Sequence, residues 1–118
     1  MSRAHRIETS RPGTRVRITL RGQLLADSAD PVLLREGGLP PRWYLPRQDV
    51  RVELLPSDTT SVCPFKGDAR YHSVRLPDGE VVEDLVWYYP EPIESVAEIG
   101  DLVCFYGERV DTELPQAA

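Results

Sequence analysis

The chain has 118 residues, of which 28% are charged and 41% hydrophobic, which fits one globular domain and excludes a disordered segment. Its 19 acidic residues outnumber its 14 basic ones, and the resulting net charge of −5 argues against general nucleic-acid binding. No apolar run approaches the roughly 20 residues that span a bilayer. The N-terminal stretch lacks the apolar segment of a secretory signal, so the expectation is a cytoplasmic protein without a membrane partner.

Residues 1–13 show no periodicity and end at Pro12-Gly13, so they are expected to be a flexible N-terminal tail. Arg15 to Arg21 alternates strictly, which predicts a half-buried strand with Val16, Ile18 and Leu20 facing a core. Gln23 to Ala26 and Val32 to Arg35 read as two more short strands, followed by Trp43-Tyr44-Leu45. Pro46 precedes a helical turn over 47–50. Arg51 to Leu55 reads as a strand that Pro56 stops, and Thr59 to Cys63 leads into the turn Pro64-Phe65-Lys66-Gly67. Ala69 to Leu76 and Val81 to Tyr89 form a hairpin around Pro77-Asp78-Gly79-Glu80. Ile93 to Ile99 is a candidate short helix, Leu102 to Tyr106 a last strand, and 112–118 a C-terminal tail. The expected fold is mainly β: a single domain over 14–111 of short antiparallel strands in two sheets, with one or two helical turns.

Chemistry concentrates in few places. The chain holds 13 Arg but a single Lys, Lys66, which sits in Cys63-Pro64-Phe65-Lys66-Gly67. Pro64 and Gly67 make this a rigid turn that brings a thiol and an ammonium together. A neighbouring ammonium favours the thiolate, and a desolvated Lys can act as a nucleophile, so Cys63 and Lys66 are the candidate catalytic pair. The alternative is structural, with Cys63 packed away and Lys66 capping backbone carbonyls or paired with Asp68 or Asp84. The aromatic residues cluster as Trp43-Tyr44 and Trp87-Tyr88-Tyr89, with Tyr71 and Tyr106 beyond them. On Val81–Tyr89, strict alternation would put Glu83, Leu85, Trp87 and Tyr89 on one face and Asp84, Val86 and Tyr88 on the other. The candidate ligand-binding set is Trp43, Tyr44, Cys63, Lys66, Tyr71, Asp84, Trp87, Tyr89 and Tyr106. Dinucleotide-binding, P-loop, zinc-protease and hydrolase-elbow motifs are absent, as is any CxxC or Asp-x-Asp pair, so no cofactor and no metal site is expected.

These motifs carry a resemblance. WYLPRQDV from Trp43, LPSDTT from Leu55, CPFKGDARY from Cys63, WYYPEP from Trp87 and GDLVCFY from Gly100 follow the order of the bacterial and fungal family called domain of unknown function 427. The resemblance runs from about Arg15 to Asp111. It implies a β-tent, two antiparallel sheets meeting at an angle, as in the thalidomide-binding domain of cereblon with its aromatic cage and in methionine sulfoxide reductase type B. The family also carries a nucleotidyltransferase-type label. Three functions follow as expectations. The first is small-molecule binding in an aromatic-walled pocket around Lys66 and Cys63. The second is an enzyme, with Cys63 as nucleophile or redox thiol and Cys104 resolving, or with the transferase activity of the label. The third is a protein-interaction scaffold. A homo-oligomer is compatible with each.

Overall fold

The computed structural model describes residues 6–115. Ten strands form two antiparallel sheets: β1 (Ile7–Ser10), β2 (Val16–Leu20), β3 (Gln23–Ser28), β4 (Val32–Glu36), β5 (Arg42–Leu45), β6 (Glu53–Cys63), β7 (Gly67–Arg75), β8 (Val81–Tyr88), β9 (Val103–Phe105) and β10 (Asp111–Glu113). The larger sheet has the order β1-β4-β5-β9-β8-β7-β6, and the smaller β10-β2-β3. Two 3-10 segments, Arg47–Asp49 and Glu94–Ile99, complete the described elements, the second kinked at Val96.

The larger sheet is apolar on both faces, so it separates two cores. On one side, Val16, Ile18, Leu25 and Ala26 of the small sheet meet Leu45, Val74, Val86, Val103 and Phe105. On the other, Val32, Leu34, Tyr44, Trp87, Tyr89 and Cys104 lie under Val96 and Ile99 of the second 3-10 segment. Alternation along single strands feeds both: Leu45 enters the first core and Tyr44 the second, as Val103 and Cys104 do.

Four sequence expectations need correction. Ile7–Ser10, expected within the loose tail, is a strand paired with β4, and Ile7 packs into the second core; residues 1–5 and 116–118 lie outside the described residues. Asp111–Glu113, at the boundary of the expected C-terminal tail, pairs with β2. Three- and four-residue strands are too short to show a period, and their pairing partners are distant in sequence. Pro56 does not stop a strand: β6 runs through it as the sheet edge, where proline's missing N–H costs no ladder bond. Finally, the two-face reading of Val81–Tyr89 fails at Asp84, whose φ of +50° marks an irregularity opposite a register shift between His72 and Val74. Leu85 and Val86 consequently both enter the first core, while Trp87 and Tyr89 enter the second.

Candidate functional site

Paired residues on neighbouring antiparallel strands share a face, and one such row builds the site. Tyr44 pairs with Cys104, Cys104 with Trp87, and Trp87 with Tyr71, crossing β5, β9, β8 and β7 in turn. Cys104 is the small member between two large rings. It leaves room for the Trp87 indole to reach over it and donate from Nε1 to the Tyr44 hydroxyl at 3.0 Å, with the rings at 83°. Tyr106, just past β9, meets Trp87 edge-on at 4.5 Å and lies nearly parallel to Tyr71, 6.5 Å away. The Tyr71 hydroxyl in turn shares a hydrogen bond of 2.9 Å with Ser61 on the edge strand.

The polar end comes from the ends of two strands that are far apart in the sheet order. Glu36 closes β4. Lys66 sits in the turn before β7, where its N–H donates to the Cys63 carbonyl at 3.1 Å and its own carbonyl accepts from Ile93 at 2.9 Å. Gly67 makes that closure feasible: its φ is +122°, and a Cβ there would sit 3.2 Å from the Glu91 carbonyl oxygen. Held so, Lys66 Nζ donates to Glu36 Oε1 at 2.5 Å, with side chains only 12% and 8% exposed. Arg42 adds a second cation. Its guanidinium lies 5.1 Å from the Trp87 ring centre and forms a two-pronged pair with Glu108 at 2.7 and 2.9 Å.

Together these groups line an open-mouthed cavity of about 230 Å³, formed by Glu36, Leu39, Arg42, Tyr44, Lys66, Tyr71, Trp87, Tyr89 and Tyr106. Burial raises the Tyr44 and Tyr89 phenols above their ordinary range. Tyr106 is pushed up to about 12 by burial, with the Tyr71 hydroxyl adding to it. All three rings therefore keep their protons at neutral pH.

Of the candidate set, Tyr44, Lys66, Tyr71, Trp87, Tyr89 and Tyr106 converge here. Trp43 does not: as the neighbour of Tyr44 on an extended strand it faces the first core and borders a separate crevice with Ile18 and Phe105. Asp84 does not either. Its carboxylate accepts from Ser57 at 2.5 Å and Thr59 at 2.6 Å, which holds it below the usual carboxylate range. Lys66 is paired with neither Asp68 nor Asp84 but with Glu36. Cys63 is half-buried beside the second core and does not line the cavity. Cys104 is sealed in the floor, and burial pushes its thiol well up, opposite to what a resolving thiolate needs. Among the described residues, no three His, Cys, Asp or Glu side chains converge to hold a metal ion.

Glu36, Arg42 and Leu39 are the lining residues that sequence reasoning missed. One signal was present: Val32, Leu34 and Glu36 alternate onto one face, so an apolar strand ends in an inward carboxylate. No helix is long and apolar enough to cross a membrane among the described residues. No curated protein matches the chain. A family model labelled NTP_transf_9 matches residues 7–116, nearly the whole chain and including every group that lines the cavity, and by that match the chain belongs to the family described as domain of unknown function DUF427.

Proposed function

We propose that this domain binds a small molecule in the cavity between the Lys66–Glu36 pair and the rings of Tyr44, Tyr71, Trp87, Tyr89 and Tyr106. The observation that carries this reading is an ion pair almost withdrawn from water at the end of an aromatic-walled recess. Such a pair is often no more stabilising than apolar side chains of the same volume, because desolvation offsets the Coulomb gain. Stability alone therefore gives little reason for charges here, whereas a few polar groups among aromatic walls are what a small-molecule site requires. At about 230 Å³ the open-mouthed cavity has room for a single ring.

The two tryptophans supply the test. Trp87 lines the cavity and Trp43 sits on the opposite face of β5. Titrating a library of single-ring fragments into the ¹⁵N-labelled chain should shift the Trp87 indole N–H while Trp43 stays in place. A library that never moves Trp87, or that moves both indoles together, rules the reading out.

A further inference from the structure

We infer that the ligand of this cavity is a small aromatic carboxylate whose oxygens are received by Lys66 and the neighbouring phenol hydroxyls; this rests on the reading that the cavity binds a small molecule at all.

Several donors at the cavity are not used on any described side chain. An ammonium carries three N–H donors, and Lys66 uses one, on Glu36. The Tyr44 oxygen accepts from Trp87 Nε1, which leaves its own O–H to donate, and that O–H donates to no described side chain. Tyr89 is only 5% exposed and its hydroxyl makes no side-chain hydrogen bond among the described residues. Glu36, the carboxylate among the described lining residues, accepts from Lys66 through Oε1. A bound molecule rich in donors would leave these groups facing one another, and unmet buried donors are costly. A molecule rich in acceptors satisfies them.

Charge narrows the class further. Among the described lining residues, Lys66 and Arg42 stand against Glu36. Glu108, the partner of Arg42, lies outside the lining with its side chain 57% exposed, where water screens it. An anion can still be received by the Lys66 donors that Glu36 leaves unused, whereas a cation would meet the ammonium of Lys66 and the guanidinium of Arg42. Charge-assisted hydrogen bonds to an ammonium are also roughly twice as strong as neutral ones. The rings of Tyr71 and Tyr106 offer apolar surface for a planar body, and the volume accommodates one ring plus a carboxylate.

Three probes of one size decide the matter: benzoate, benzyl alcohol and benzylamine, each titrated into the full chain at pH 7 with the Trp87 indole as reporter. Benzoate is expected to bind about tenfold more tightly than benzyl alcohol, with benzylamine weakest. In Lys66→Met the benzoate preference over benzyl alcohol should fall to within about twofold. Because that variant takes the Lys66 ammonium away from the buried Glu36 carboxylate, the double variant Glu36→Gln with Lys66→Gln is measured beside it, and the same collapse is expected. Benzylamine binding as tightly as benzoate overturns the inference, as does a preference that survives in a folded variant; either result leaves small-molecule binding standing. Silence from all three probes overturns it too, and silence across the whole fragment library removes the underlying reading as well.

Discussion

At the scale of single residues, the Lys66–Glu36 pair is where the sequence's one lysine acquires a reason. Removing one partner takes an ion-pair contact from the other in a nearly dry site. Lys66→Met should therefore destabilise the domain by about 3–5 kcal/mol in denaturant unfolding, with the double variant Glu36→Gln, Lys66→Gln recovering much of the loss. Lys66→Arg keeps the charge but must fit a planar fork where a compact ammonium sits, and should cost about 1–3 kcal/mol. A second residue-scale prediction concerns His72. Arg47 can only donate, so His72 Nε2 accepts from it at 3.0 Å, and Nδ1 carries the proton toward the Leu55 carbonyl at 3.1 Å. The ring also stacks on Tyr88, which Arg47 covers from 4.5 Å. Burial, with Arg47 adding to it, pulls the His72 pKa below its ordinary value. The unfolded chain then binds more protons than the folded one as pH falls below about 6.5, so stability declines there and is fully present above it. His72→Gln should flatten that part of the stability–pH curve. The further loss at lower pH should persist in this variant, because it belongs to carboxylates such as Asp84 and Glu108 that the fold holds below their usual range.

At the scale of elements, the irregularity at Asp84 ties three strands together. Register shifts between Pro56 and Thr60 on β6 and between His72 and Val74 on β7 fall beside it. Asp84 on β8 reaches across to Ser57 and Thr59 on β6, its N–H meets Ser73 on β7 at 3.1 Å, and Arg109 donates to the carbonyls of Glu83 and Asp84. Asp84→Ala loses both hydroxyl bonds and places a poorer residue at positive φ. It should cost about 1–2 kcal/mol in chemical denaturation, while Asp84→Asn should cost less, because asparagine tolerates that backbone. The strand Val81–Tyr88 was the most legible element in the sequence, yet its faces were misassigned because strict alternation assumes no irregularity. What restored the correct sides was the positive φ at Asp84, and periodicity carries no sign of it.

At the scale of the whole molecule, one sheet with a core on each face explains why the short outer strands matter. β1 covers the edge of β4, and Ile7 pairs with Glu36 while packing against the second core. Deleting residues 1–10 should lower the melting temperature by several degrees, since about 1 kcal/mol corresponds to roughly 4–8 °C in a domain of this size. It should also broaden the Lys66–Glu36 end of the cavity in NMR spectra, while an unchanged melting temperature would mean that β1 only decorates the edge. The sequence by itself determined the class of fold, most of the strands, the Pro46 and Pro77–Glu80 turns and the family, because alternation, turn chemistry and contiguous motifs are local properties of the chain. It also brought forward Lys66 and five of the cavity's rings as single residues. Which groups meet was decided only by tertiary structure. Tyr44, Cys104, Trp87 and Tyr71 form a row because of strand register, and Glu36 meets Lys66 although three strands separate β4 from β7 in the sheet, because the turn before β7, tied back to Ile93, holds Lys66 at the same cavity as the end of β4. Trp43 was set apart from Tyr44 by the same physics, since neighbours on an extended strand point to opposite faces, and only the packed sheet shows which face holds the cavity.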